Sequence, residues 1–343
     1  MGIDDLKNGV IRTCASSNQI IDYNSLPILR MLRFALKYKF VIDDECLNEI
    51  EKKKKIFQNN LLKEVKTETI HKDINLILCC PNPSFAIFSL YKFDLLEYVL
   101  QLDLHYKNEM ESLLTEKDIL NCTNIFIVGE KILDKYKHYF EGENYDDKYK
   151  CSFYSILLTI IMKKVNNKYD NNLAKMVLAN VLKLESKNSL RIIYNFDEFN
   201  NFFDKSQYNR LNVGSLLKKI LVRNISQMIL ISIAYEYVMK LNSNKIFDKI
   251  DIDEIEKIFQ KYFEFYKYMK KEKMEKVDEI RPIMDAKQIK KEFPGTPNHY
   301  LGEIIEAVIK KQIETNNNIS KEDSINIIKS KIQELNIKFQ NTK

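Results

Sequence analysis

Apolar residues recur every three or four positions along most of this chain, which is the spacing of one face of an α-helix. Leu26, Leu29, Leu32 and Leu36 show the pattern within a segment that we expect to be helical from 26 to 40. Further helices are predicted at 63–79 and 84–101, between 151 and 276, and as a final pair at 300–342. The pattern therefore predicts an all-α fold.

The first thirteen residues depart from this pattern. We expect residues 1–13 to form a short extended piece, since residues 10–13 alternate after a turn at 7–9. Polar stretches predict breaks between later helices, near 166–167, 195–204, Gly214, 242–244 and 293–297. Gly129 and Gly142 punctuate a more polar region at 102–150, where no helix is predicted. The whole chain holds only 7 Gly and 6 Pro, too few turn residues for a sheet-rich fold.

Charge leaves the class of partner open. The chain carries 54 Lys and Arg against 48 Asp and Glu, a net charge of +6. This excess permits an RNA partner without requiring one, because clustering of charge matters more than its total. The longest apolar runs, at 153–162 and 225–239, are shorter than the roughly 20 residues of a membrane span. We therefore expect a soluble protein with no membrane partner.

The cysteines are scattered and form no CxxC pair, so neither a zinc-ligand spacing nor a disulfide framework is visible. They are Cys14, Cys46, Cys79, Cys80, Cys122 and Cys151. Reduced thiols are typical of intracellular proteins, and we expect a cytoplasmic or mitochondrial location. The four histidines form no metal-binding or phosphohydrolase motif.

Two arginines stand out on the first long predicted helix. Arg30 and Arg33 are three residues apart, so they share a helix face. Two guanidinium groups at this spacing can bind the oxygens of one polyphosphate or RNA backbone. The alternative is that both are solvated or paired with carboxylates.

Other candidate sites have a simpler structural interpretation. Asp251 and Asp253 precede a predicted helix and are expected to cap it rather than to bind metal. The Tyr and Phe residues at 259–268 are expected in the core rather than as a platform for stacking bases. The lysines at 52–55 and 270–271 are interpreted as solvated helix faces.

Two blocks of motifs occur in order and with matching spacing in the first 100 residues. The first comprises Gly2-Ile3-Asp4-Asp5-Leu6, Gly9, Ile11-Arg12-Thr13, Arg30, Arg33-Phe34-Ala35, Phe40 and Ile42-Asp43. The second comprises Val65-Lys66-Thr67-Glu68-Thr69-Ile70, Asp73, Ile77-Leu78, Pro81-Asn82-Pro83 and Leu95-Leu96-Glu97. A looser third block comprises Leu301-Gly302-Glu303-Ile304, Lys311-Gln312-Ile313-Glu314 and Lys321-Glu322-Asp323. Together they resemble the CCA-adding enzymes, which are tRNA nucleotidyltransferases.

The resemblance implies a helical array of neck, body and tail that grips tRNA, preceded by a catalytic head. It divides the chain into a remnant of the head at 1–20, a nucleotide-binding and RNA-binding neck at 21–101, a body at 102–290 and a tail at 291–343. Arg30 and Arg33 match arginines that help to hold the nucleotide. The tail match assigns RNA contacts to Lys310, Lys311 and Gln312.

The chain departs from the family at the element that reads the incoming base. Tyr23, Asn24 and Pro27 occupy the positions of its acid, aspartate and first arginine. Proline offers no side-chain hydrogen-bond donor and asparagine carries no charge. Recognition of C or A is therefore expected to be degenerate.

The family's head carries a D-x-D pair for Mg²⁺ on a strand and a G-x-x-R-D segment for the triphosphate. The G-x-x-R-D segment is not found in this sequence, and the D-x-D match at 251–253 precedes a predicted helix with neither a strand nor a Gly-rich loop before it. By the family's order the head would precede Met1, so this chain alone is expected to be inactive. Mg²⁺ and CTP or ATP are expected as cofactor and substrates only when a head is supplied.

The sequence thus favours the tRNA-binding part of a CCA-adding enzyme. The first alternative is a non-catalytic RNA-binding or structural subunit of a ribonucleoprotein, and the second is a helical protein-interaction scaffold. The expected partners are tRNA and either a separate catalytic chain or ribonucleoprotein subunits.

Overall fold

The computed structural model describes residues 2–23, 26–56, 63, 65–78, 80, 83–96, 115–136, 159–160, 186–205 and 208–341. Across these ranges the regular structure is helical apart from two strands of two residues each, and the predicted all-α fold is confirmed.

The elements follow the chain in this order: α1 (Gly2–Asn8), β1 (Val10–Ile11), α2 (Ser17–Tyr23), α3 (Leu26–Tyr38), β2 (Val41–Ile42), α4 (Asp44–Lys52), α5 (Thr67–Leu78), α6 (Pro83–Lys92), α7 (Glu116–Tyr136), α8 (Ser186–Lys205), α9 (Arg210–Ile220), α10 (Ile225–Leu241), α11 (Ile252–Lys271), α12 (Ala286–Glu292), α13 (Leu301–Glu314) and α14 (Lys321–Asn341). Short 3₁₀ turns occur at Val222–Asn224, Val277–Glu279 and Asn298–Tyr300.

Contacts divide the chain into two compact units. Unit 1 comprises 1–196 and 226–258, and unit 2 comprises 197–225 and 259–343. The division into neck, body and tail follows from the family resemblance and stays a prediction.

The core of unit 1 contains the apolar faces that the sequence pattern predicts. Helix α3 packs against α5, and α6 packs against α7. Leu29 and Leu32 of α3 are buried, as are Ile70, Ile74 and Ile77 of α5. Burial of such side chains contributes roughly 1.5–3 kcal/mol each.

In unit 2, helix α9 packs against α13, and α13 packs against α14. Apolar side chains from α12, α13, α14 and the segments beside them pack together in one buried cluster. Its buried members are Met284, Ile289, Tyr300, Ile304, Val308, Ile328 and Leu335. The predicted C-terminal helical pair and the break at 293–297 are confirmed.

The N-terminal residues correct one prediction, because Gly2–Asn8 is helical rather than extended. Asp4 and Asp5 lie in the first turn of α1 and Lys7 in the last, which complements the helix dipole. Gly9 ends the helix in the left-handed region at φ +64°. The predicted extended conformation is confirmed at Val10–Ile11.

Three further helix predictions need correction. The helix predicted at 84–101 is interrupted after Lys92, because Asp94 adopts φ +54° and the Leu95 amide bonds back to the Leu90 carbonyl at 2.8 Å; residues 97–101 lie outside the described residues. Helix α7 was not predicted, and Gly129 is buried within it. Helix α8 continues through 195–204, where a break was predicted, whereas the break at 242–244 is confirmed. Residues 166–167 lie outside the described residues.

Candidate nucleotide and RNA contacts

A two-stranded parallel sheet brings the two parts of the first motif block together. Val10 pairs with Val41, and Ile11 pairs with Ile42. The Val41 amide donates to the Gly9 carbonyl at 2.8 Å. A Cβ atom at position 9 would lie 3.6 Å from the Phe40 ring, which leaves room, so the positive φ is the reason for glycine here.

Arg12, which belongs to the same motif block, forms ion pairs with carboxylates from both parts of that block. Its Nε lies 3.0 Å from Asp5 Oδ1, and its Nη1 lies 3.6 Å from Asp43 Oδ1. One guanidinium therefore holds two carboxylates from α1 and from the start of α4. This arrangement gives Arg12, Asp5 and Asp43 a structural role within the chain.

Arg30 and Arg33 converge on one carboxylate, that of Asp73 on α5. Arg30 Nε lies 3.4 Å from Asp73 Oδ2, and Arg33 Nη1 forms a short ion pair with Oδ1. The side chain of Asp73 is 4% exposed, whereas Arg30 is 49% exposed and Arg33 20%. The predicted shared face of the two arginines is confirmed, and the anion that they share in this structure is a carboxylate of the chain.

Two of the three base-reading positions are described, one at the end of α2 and one at the start of α3. Tyr23 ends α2 with its side chain 81% exposed. Pro27 is the second residue of α3 and is exposed, which suits a ring that cannot donate a helical hydrogen bond. Asn24 lies outside the described residues.

An open cavity of about 610 Å³ lies beside the sheet, between α1 and the exposed side of α3. Phe34 and Tyr38 stack along one wall with their ring centroids 6.1 Å apart. The Arg33 guanidinium lies 4.6 Å from the centre of the Phe34 ring. Arg12 and Asp5 also line the cavity, so it combines aromatic surface with charged groups.

Of the three residues predicted to contact RNA in the tail, the two lysines lie on the surface of unit 2 and the glutamine is buried. Lys310 and Lys311 lie on the surface of α13, each about half exposed. Lys310 Nζ lies 2.7 Å from Glu306 Oε1, and Lys311 Nζ lies 2.9 Å from Glu314 Oε2. The hydrogen bond from Lys310 lowers the pKa of Glu306.

Gln312, in contrast, is 1% exposed. Its Nε2 donates to the Arg281 carbonyl at 2.9 Å and to Asn317 Oδ1 at 2.7 Å. This places the side chain inside unit 2, where it ties the loop before α12 to the end of α13. The spacing of Ile304, Val308 and Gln312 on one helix face is the sequence signal for this burial.

The described residues contain no group of three or more His, Cys, Asp or Glu side chains placed to hold a metal ion. Asp251 acts as the predicted helix cap, because its Oδ1 accepts the amides of Asp253 at 3.0 Å and Glu254 at 3.2 Å. Among the aromatic residues of 259–268, Phe259, Tyr262 and Phe265 are buried in the core as predicted, and the other three are half-buried.

Charge is distributed unequally between the units. Unit 2 contains 22 Lys and Arg against 16 Asp and Glu, so it carries the whole net charge of +6. Unit 1 contains 32 of each sign and is neutral. No helix in the described part of the chain is both long and apolar enough to cross a bilayer.

Comparison with known proteins connects these observations to one family. The chain is 24% identical to the mitochondrial CCA tRNA nucleotidyltransferase of Saccharomyces cerevisiae over 352 aligned residues, which cover 91% of this chain and 61% of the yeast protein. It is 27% identical over 97 residues to a CCA-adding enzyme of Ligilactobacillus salivarius, covering 28% of this chain and 23% of that enzyme. No protein-family model matches the chain.

Solved structures of CCA-adding enzymes are also similar. An apo form has a TM-score of 0.49 at 18% identity and aligns with 94% of this chain and 62% of its own. A Thermotoga maritima CCA-adding enzyme complexed with tRNA has a TM-score of 0.46 at 16% identity, covering 97% of this chain and 66% of its own. The chain spans about 61% of the length of the yeast relative. The resemblance to CCA-adding enzymes that the sequence motifs indicate is confirmed, since the curated relatives that the chain matches are CCA-adding tRNA nucleotidyltransferases.

Proposed function

We propose that this chain is the tRNA-binding part of a CCA-adding tRNA nucleotidyltransferase and acts in maturation of the tRNA 3′ end. The observation that carries the proposal is the similarity to the yeast nucleotidyltransferase along 91% of the chain. The name of that relative also favours a mitochondrial location over a cytoplasmic one.

The charge distribution supports an RNA partner. A polyanion is attracted to the basic unit 2 rather than to the neutral unit 1. Lys310 and Lys311 are exposed, and their surface ion pairs are worth little, so a phosphate can replace the glutamates. Contacts of this kind give affinity with little sequence readout, which suits recognition of tRNA by shape.

Arg30 and Arg33 are the proposed phosphate contacts of unit 1. Asp73 holds both guanidinium groups in place, and the larger exposure of Arg30 leaves it open to an additional anion. Phosphates are shared by all nucleotides, so this contact does not select a base. We propose that Pro27 and Tyr23 leave the chain without selection of C or A.

The acids described in this chain do not cluster into a two-metal site, and no catalytic step is assigned to them. We propose that residues outside these 343 supply the chemistry, either within a longer polypeptide or from a separate chain. Mg²⁺ and the triphosphate substrates would bind with that part.

A second candidate is a non-catalytic RNA-binding or structural subunit of a ribonucleoprotein. Pro27 favours it, because a working base-reading element needs a donor at this position. The two candidates differ in one property: a subunit kept only for its shape binds tRNA but gains no nucleotide addition when a catalytic part is supplied.

The proposal is tested with the purified chain and a labelled tRNA that lacks its 3′ CCA. We expect binding that is stronger than to an unstructured RNA of equal length, and no extension with CTP, ATP and Mg²⁺. Metal-dependent extension by this chain that is lost on changing an acidic pair would overturn the proposal that the catalytic residues lie outside it. Binding no stronger than that of an unrelated protein of net charge +6 would overturn the RNA role and favour a protein-interaction scaffold.

A further inference from the structure

A second cleft in unit 1 has walls made of phenylalanine rings. It measures about 540 Å³ and lies between α3, β2 and α6. Leu32, Leu36 and Ile42 are buried along the cleft. The rings are those of Phe40, Phe85, Phe88 and Phe93. Phe85 is 48% exposed, so part of its ring is open to solvent at the cleft.

Two lysines border this aromatic cleft. Lys39 directly follows α3, is exposed and makes no ion pair within the described part of the chain. Lys92 is the last residue of α6, and its Nζ lies 5.3 Å from the centre of the Phe88 ring. The same Nζ lies 2.8 Å from Glu116 Oε1, in a pair that is half exposed on both sides. The cleft therefore combines an apolar interior with cations at its edge.

The aromatic cleft is separate from the arginine site. Leu32 lines it, and on α3 this residue lies about 160° around the helix from Arg30 and about 100° from Arg33. Ala35, Phe40 and Ile42 of its lining belong to the first motif block, whereas Phe85, Phe88 and the two lysines belong to neither block.

We propose that this aromatic cleft binds an unpaired nucleotide of RNA, with its base against Phe85 and Phe88 and its phosphate near Lys39 and Lys92. The inference rests on the proposed function, because it requires an RNA partner. Unpaired bases stack on phenylalanine in sequence-tolerant RNA sites, and lysines beside the ring bind the backbone. The cleft volume lies within the range of about 300–1,000 Å³ that is usual for small-ligand sites.

An apolar peptide is the competing occupant. It would use the ring surface equally well, but it gives no reason for cations at the edge of the cleft. Ser89 adds a hydroxyl among the rings that can hydrogen-bond to the polar edge of a base. Charge complementarity therefore favours the nucleotide.

The chain contains no tryptophan, so a single introduced indole reports on the cleft without background. Phe85→Trp places it on the exposed ring position, and Leu76→Trp provides a matched control at 45% exposure on α5. Each variant is titrated with a hexamer of adenylate and with an abasic oligomer of the same length. We expect saturable quenching of Phe85→Trp by the hexamer alone, and no quenching of Leu76→Trp.

A second pair of variants separates stacking from charge. Phe88→Leu keeps the cleft apolar and should weaken hexamer binding roughly tenfold with the salt dependence unchanged. Lys39→Ala with Lys92→Ala should reduce the salt dependence instead. Circular dichroism establishes that each variant is folded.

The outcomes distinguish this inference from the proposed function. If tRNA still binds the Phe85→Trp variant but the hexamer causes no quenching, the cleft assignment is overturned and the tRNA role stands. Equal quenching by the abasic oligomer would also overturn it, because the base would then contribute nothing. Failure of the wild-type chain to bind any tRNA would overturn both.

Discussion

At the scale of single residues, two groups of three charged side chains connect elements of unit 1. Arg12 holds Asp5 and Asp43, and the buried Asp73 holds Arg30 and Arg33. A carboxylate that is 4% exposed requires positive partners, because burial of an unpaired charge costs several kcal/mol. The same groups therefore serve stability and, in the proposed function, orientation of the arginines.

Changing Asp73 to Asn should destabilise unit 1. The variant leaves Arg33 facing a neutral amide in a site that is largely closed to water, and loss of a charged hydrogen bond costs about 1.5–3 kcal/mol. Urea unfolding measures the change. Glu51→Gln, on the exposed surface of α4, should stay within about 0.5 kcal/mol of wild type. Equal effects of the two substitutions would contradict a structural role for Asp73.

Individual contacts could be predicted from the sequence only where the two partners lie close together along the chain. The three-residue spacing shows that Arg30 and Arg33 share a face, but nothing nearby in sequence indicates Asp73, which lies 40 residues beyond Arg33. Gln312 was assigned to RNA from the motif, although its spacing with Ile304 and Val308 indicates the buried face. Cap residues depend on neighbours within one turn, so the Asp251 cap was predicted correctly.

At the scale of elements, most helices were predictable from periodicity, but their ends and two of their breaks were not. Gly214 was interpreted as a break because glycine disfavours helices. The structure places it inside α9, where a Cβ atom would overlap Ile313 Cγ2 and lie 3.0 Å from Met274 Cε. Close approach of α13 therefore explains the glycine, and such packing across 99 residues leaves no local signal.

Gly214→Ala should lower the melting temperature of unit 2. The overlap with Ile313 forces a shift that costs about 1–3 kcal/mol, which outweighs the gain of up to about 1 kcal/mol in helix propensity. Gly302→Ala is the matched control, since nothing lies within 4 Å of its Cβ position on α13. The control should leave the melting temperature unchanged or raise it. A stabilised Gly214→Ala variant would show that α9 and α13 do not approach so closely.

The start of α14 should be sensitive to acid. Asp323 Oδ2 accepts a hydrogen bond from the Ser320 amide at 2.9 Å. Hydrogen bonds with the backbone and the side chain of Ser320 lower the pKa of Asp323. A lowered pKa contributes stability above the ordinary aspartate value of about 3.9, and this stability is lost as pH falls through the folded pKa. Asp323→Asn should therefore reduce the melting temperature at neutral pH and flatten its fall below about pH 4. A Glu322→Gln variant with the same change in pH profile would contradict this assignment.

At the scale of the whole molecule, the total charge conceals an uneven distribution. A net charge of +6 over 343 residues is small, but the 114 residues of 197–225 and 259–343 carry all of it. The excess is divided between two separate stretches, 197–225 with 5 Lys and Arg against 3 Asp and Glu, and 259–343 with 17 against 13, so it is small in each. This is why the sequence alone left the RNA partner open, and it directs the search for phosphate contacts to unit 2.

Binding of tRNA should therefore weaken when Lys310 and Lys311 are both changed to Ala. Their exposed ammonium groups are proposed to contact phosphates, so all tRNAs should be affected alike, and the log–log salt slope should fall by about 0.7–0.9 for each phosphate that is no longer neutralised. The matched variant Glu306→Gln with Glu314→Gln removes the carboxylates that compete for the same lysines. This variant should bind tRNA more strongly, because it removes negative charge beside the lysines. Fluorescence polarisation over a series of salt concentrations measures both effects, and a change in preference between tRNAs without a change in slope would contradict a phosphate-binding role for α13.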